Sequence, residues 1–154
     1  MTAADPRREW RQLAALDRSG GGGVFSGRQN GAFVQHLVED DLVVAGNILA
    51  NDRVLTQMMD GFHNGRGDLA DRLLAALRSG AKAGGDSRGL MSAAMLIVAQ
   101  GKPTLTLRVD YDEKPIDKLE ALMARTRDPA YSQWLDVLPT IDQPHGVGAS
   151  KKSV

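Results

Sequence analysis

An α+β fold is what this chain predicts, on three observations. Short apolar runs punctuated by glycine-rich turns fill the first third. Two amphipathic helical patterns then stand in tandem, and two more strand-like runs precede a last helix. This is not the strict strand-helix alternation of a doubly wound sheet. Two sheet layers with helices outside, or one sheet covered by helices, both satisfy the order. The chain has 154 residues, enough to bury one core. A single domain over 1–138 with a flexible tail over 139–154 is therefore expected.

Residues 9–17 read as a first strand, ended by Arg18, Ser19 and the glycines 20–23, which supply hairpin punctuation. Residues 24–28 are the return strand, 32–38 the next, and 42–45 a fourth that runs into Gly46 and Asn47. From Asn51, an expected N-cap, apolar residues fall at Val54, Leu55, Met58, Met59 and Phe62, one face of a helix. Asp68 caps a second helix through Leu69, Leu73, Leu74 and Leu77, closed by Gly80 and then Gly84-Gly85. Residues 91–99 are apolar or small on both faces, as in a strand covered on both sides. Residues 104–110 give the cleanest period-two alternation in the chain. Pro115 suits the first turn of a helix that buries Ile116, Leu119, Leu122 and Met123.

Charge and composition narrow the function. Nineteen basic residues balance nineteen acidic ones, so no net field draws the chain to nucleic acid or an anionic membrane. The absence of cysteine removes disulfides, thiolate nucleophiles and thiolate metal sites, and fits a reducing cytoplasm. The N-terminus lacks an apolar stretch of the leader type, and no run approaches the ~20 apolar residues of a spanning helix. His36, His63 and His145 lack ligand spacing, so no metal is expected. No cofactor is expected either, because the glycines 20–23 open no helix and no lysine-serine or lysine-threonine pair follows them.

Three short motifs carry possible chemistry. Gly85-Asp86-Ser87-Arg88-Gly89 matches the G-x-S-x-G of a nucleophile elbow, with Asp112 and His145 following in the right order. An elbow, however, is entered from a strand and left into a helix, and here the predicted order is reversed. Asp86 and Arg88 offer a different use, a substrate clamp in which a guanidinium fork meets a carboxylate. Polar loop residues often do no more than satisfy backbone and each other. Asn47, after an apolar strand, has an amide suited to a developing oxyanion, although asparagine is also a standard turn residue. Arg66-Gly67-Asp68 spells an adhesion tripeptide, and a post-helix glycine followed by an N-cap explains it fully.

Taken together, Asp5-Pro6 with Arg11-Gln12, Gly46-Asn47-Ile48-Leu49, Leu73 to Leu77, Gly84 to Gly89 with Ser92-Ala93-Ala94, and Leu107-Arg108-Val109-Asp110 resemble the bacterial family known as domain of unknown function 1028, over about residues 5–138. That family is similar to the N-terminal-nucleophile hydrolases. The resemblance implies a layered αββα sandwich and amide-bond hydrolysis, with a small-molecule or peptide amide as substrate. It also implies an upstream segment, bearing the first strands and the nucleophile, that this chain lacks, so the fold is expected to be incomplete at its N-terminus and inactive alone. On this reading Asn47 stabilises negative charge on oxygen, Arg88 holds a carboxylate or carbonyl, and Asp86 orients Arg88 or a substrate amine. The alternative is a non-catalytic ligand-binding or oligomerisation domain. Unpaired sheet edges would make the chain a homo-oligomer.

Overall fold

Strands come first, helices next, and a hairpin with a helix last, in an α+β arrangement as expected. The computed structural model describes residues 2–135, 137–139, 141, 144 and 145. Most of the expected tail, 139–154, lies outside them. The chain divides into two compact units, Met1–Leu90 and Met91–Val154.

The first unit opens with a 3-10 turn, Arg8–Trp10, where the sequence pattern predicts strand. Asp5 causes the difference: its carboxylate accepts the Arg7 N–H at 2.8 Å and Arg11 Nε at 3.0 Å, winding the chain before it can extend. Two antiparallel hairpins follow, β1 (Gln12–Leu16) with β2 (Gly22–Ser26), and β3 (Gln35–Glu39) with β4 (Leu42–Gly46). Register runs from Gln12 opposite Ser26 in the first and from Gln35 opposite Gly46 in the second. The hairpins touch at Gly22, where a Cβ would come within 2.7 Å of Val38.

Helix α1 is Val54–Asn64 and α2 is Leu69–Lys82. Asn51 does not cap α1, because Asp52 and Arg53 intervene as a turn and Arg53 takes the N-cap position. Asn51 instead accepts the Arg53 N–H through Oδ1 and donates to the Ala83 carbonyl through Nδ2 at 2.7 Å, tying the start of α1 to the end of α2. Asp68 does cap α2, in a reciprocal capping box with Asp71. Gly80 lies inside α2 rather than ending it, because Met58 of α1 packs where its side chain would stand. The end is formed by Gly84, at φ +126°, with Gly84 N–H bonded to the Ala81 carbonyl and Gly85 N–H to that of Gly80, a Schellman motif. Val44, Leu49, Val54, Leu55 and Met59 form the core that α1 and the second hairpin share.

In the second unit, β5 (Ala93–Ile97) and β6 (Leu105–Val109) pair antiparallel, and α3 (Pro115–Thr126) packs on both. Met95, Leu107, Leu119 and Met123 are buried there. A short helix α4 (Pro129–Leu135) follows. Two expectations fail. Residues 91–99 are not covered on both faces, since Leu96 is 63 % and Val98 73 % exposed. Leu122 is 40 % exposed, because α3 meets the hairpin along the Leu119–Met123 line and Leu122 falls to its side.

Candidate functional site

Two segments of the first unit meet beside its core, the turn 46–50 that leaves β4 and the loop 83–90 that leaves α2. An antiparallel bridge pairs Leu49 with Asp86. The Ala50 N–H donates to the Gly85 carbonyl and the Ser87 N–H to the Ile48 carbonyl, both at 2.9 Å. On the opposite flank the Ile48 N–H reaches the Asn30 carbonyl at 3.3 Å, and the Leu49 N–H that of Phe33 at 3.2 Å. Buried Leu49 anchors the turn in the core.

Between these ties Ile48 is held at φ +54°. For a β-branched residue this left-handed conformation is an outlier costing about 1–3 kcal/mol, sustained only where surrounding bonds over-determine it. Such strain concentrates at binding and catalytic segments. Asp41 is the other non-glycine residue at positive φ among the described ones, and it sits in the β3–β4 hairpin turn, where that conformation is ordinary.

Arg88 grips Asp86 in a fork. Its Nε donates to Asp86 Oδ1 at 3.0 Å and its Nη2 to Oδ2 at 2.7 Å, while the Arg88 backbone N–H also reaches Oδ1 at 2.8 Å. These bonds, the side-chain ones foremost, hold the Asp86 carboxyl down to about 2, and the carboxylate in turn raises the Arg88 guanidinium. The Arg88 side chain is 69 % exposed and that of Asp86 24 %. A guanidinium has five N–H donors. Two are committed to Asp86, so three face outward, fixed in direction.

Asn47 flanks the same bridge, one residue before Ile48, and is exposed. Its Nδ2 donates to Gln12 Oε1 at 2.9 Å. Gln12 is itself pinned, its Nε2 lying 3.0 Å from Ser26 Oγ, 3.0 Å from the Gln35 carbonyl and 3.1 Å from that of Gly46. Ser26 Oγ continues the chain to His36 Nδ1 at 3.2 Å. Asn47 thus presents one oriented amide hydrogen without a partner among the described residues. Gln12 is the positioning residue that sequence reasoning left unassigned. Its only signal was its place in the Arg11-Gln12 motif, since its partners stand 14 to 35 positions away.

Ser87 is entered from α2 and left toward β5, the reverse of an elbow, and its backbone is committed to Ile48. Arg66-Gly67-Asp68 is the α1–α2 connection, with Asp68 as cap. Among the described residues no three His, Asp or Glu side chains converge as a metal site would require, and no helix is long and apolar enough to cross a membrane.

Comparison with known proteins completes the picture. No curated protein matches the chain. The crystal structure of a protein from Silicibacter pomeroyi, itself assigned to the family-model DUF1028, superposes with a TM-score of 0.89 at 32 % identity. The match covers 96 % of this chain and 66 % of that one, so the chain spans just under two thirds of its relative. The model of the family of unknown function DUF1028 matches residues 1–119. Gly46 to Leu49, Gly84 to Gly89 and Gln12, which meet in the structure, all fall within that match, and the chain belongs to the family of unknown function DUF1028.

Proposed function

We propose that this chain carries the substrate-binding side of an amide-bond hydrolase of the N-terminal-nucleophile type, built as a layered sandwich and working in a reducing cytoplasm. The observation that supports it is the meeting of the strained 46–50 turn with the Asp86-Arg88 fork. Three guanidinium donors aimed by Asp86 suit a substrate carboxylate or carbonyl. The spare Asn47 amide hydrogen, aimed by Gln12, suits the oxyanion that forms when an amide carbonyl is attacked. The attacking group is assigned to no residue of this chain.

The test is amide hydrolysis by the natural protein on acyl amino acids and dipeptides. Arg88→Ala is expected to raise KM with little change in kcat, since it removes binding common to ground and transition states. Asn47→Ala is expected to lower kcat by about 10²–10³-fold. Turnover indifferent to both changes removes these residues from the site.

A second reading is a homo-oligomerisation domain that keeps the fold without the chemistry. Exposed apolar residues on and beside the strands favour it, Leu13 and Leu16 on β1, Leu96 on β5 and Val98 just beyond its end. Light scattering decides it, because a monomer at high concentration contradicts self-association.

A further inference from the structure

The second unit holds a groove of about 730 Å3 between the end of β6 and α3, a volume typical of small-molecule sites. Lys118, Leu122 and Arg125 line it from one face of α3, spaced i, i+4 and i+7. Arg108, Tyr111 and Asp112 line it from the strand end and the loop beyond.

Charge and apolar surface together limit what fits. The groove wall carries three cations, Arg108, Lys118 and Arg125, against two carboxylates, Asp110 and Asp112. Arg108 is ion-paired to Asp110. Asp112 accepts the Lys114 N–H through Oδ1 at 2.7 Å and sets Oδ2 4.0 Å from Lys118 Nζ. Arg125 is exposed and has no ion-pair partner among the described residues. One positive charge is therefore left over, on a planar fork that matches a carboxylate. Beside it stand Tyr111, 73 % exposed, and Leu122, 40 % exposed although it belongs to the apolar pattern of α3. A ring and a branched aliphatic chain next to one unspent guanidinium suit a flat apolar body bearing a single negative charge. A dianion would exceed the surplus and crowd Asp112.

We propose that this groove binds an aromatic monocarboxylate, its carboxylate on Arg125 with Lys118 alongside, and its ring against Tyr111 and Leu122. None of its lining residues belongs to the unit that holds the Asp86-Arg88 fork.

The test titrates phenylacetate, acetate and phenyl phosphate into the isotopically labelled protein and follows backbone amide NMR shifts. Phenylacetate is expected to saturate shifts at Tyr111, Leu122 and Arg125, with acetate and phenyl phosphate each about tenfold weaker. Arg125→Gln, an exposed change, is expected to weaken phenylacetate at least about tenfold, as loss of a charge-assisted bond does. Tyr111→Ala weakens it severalfold, and Arg88→Ala leaves it unchanged. An unchanged spectrum away from the groove shows that each variant is folded. Non-saturable shifts, indifference to Arg125→Gln, equal binding of acetate or phenyl phosphate, or loss of binding in Arg88→Ala would each overturn the proposal. The last outcome would move the ligand to the Arg88 clamp, and the others leave the Arg88 reading untouched.

Discussion

The Arg88 guanidinium donates twice to the Asp86 carboxylate, from Nε at 3.0 Å and from Nη2 at 2.7 Å, and so points its remaining donors outward from a loop bonded to Ile48. A side chain 69 % exposed would ordinarily sample many rotamers. The fork restricts it, and that restriction is what a binding site requires.

This pair makes the loop sensitive to acid. Its partner holds the Asp86 carboxyl at about 2, below the ordinary 3.8. The protonated form is thus favoured more in the unfolded chain, and the pair's stabilisation is fully present above about pH 5 and lost as pH falls through 2. Arg88 is mostly solvent-exposed, so screening keeps the contribution small. Carboxyl carbon NMR should show Asp86 titrating near 2 in the native protein and higher in Arg88→Ala, yet still below the ordinary value, because the backbone N–H of residue 88 continues to donate to Oδ1. An unshifted midpoint in the native protein would show that the fork does not persist in solution.

Gln12→Ala removes the amide that reaches Ser26, Gln35, Gly46 and Asn47 at once. Leaving partly buried carbonyls without a donor costs about 1–3 kcal/mol. Urea denaturation should record that loss, and NMR should show the Asn47 side-chain amide averaging its two hydrogens' environments. A variant with wild-type stability and an unmoved Asn47 amide contradicts the positioning role.

The α1–α2 contact should tolerate no added methyl at Gly61. A Cβ there would stand 2.7 Å from the Ala75 carbonyl oxygen, and it would also crowd the Ser79 side chain. Helix propensity alone favours alanine over glycine by about 1 kcal/mol. Overpacking against backbone should outweigh it, for a net loss of about 1–3 kcal/mol in Gly61→Ala. A stabilised variant would mean that the helices separate freely.

Leu119 has no exposed surface and forms the contact of α3 with the β5–β6 hairpin. Leu119→Ala is expected to cost about 2–5 kcal/mol, whereas Leu122→Ala, at 40 % exposure, should cost far less. Chemical denaturation of the two variants compares them directly, and equal losses would contradict the side-on placement of Leu122.

Residues with local physics were legible in the sequence. The Asp68 cap, the Pro115 start and the strands around Leu42 and Leu107 depend on neighbours a few positions away, and each stands as expected. Where distant packing decides, the sequence pattern misled. Gly80 reads as a helix stop but is a crossing point for Met58. Residues 91–99 read as doubly covered, yet only the Met95 face is buried. The candidate site was half visible: Asp86, Arg88 and Asn47 stood out by residue type and motif, while their junction through Leu49 and Ile48, and the role of Gln12, depend on long-range register.

The most direct measurement is the dissociation constant of an acyl dipeptide with a free carboxylate, compared by calorimetry in the wild type, Arg88→Ala, Asp86→Asn and Arg125→Gln. Arg88→Ala is expected to weaken binding by about tenfold or more, and Asp86→Asn by less, because the fork loses its aim but keeps its charge. Arg125→Gln should leave it unchanged. Equal affinities in the wild type and Arg88→Ala would contradict the assignment of this loop as the substrate clamp.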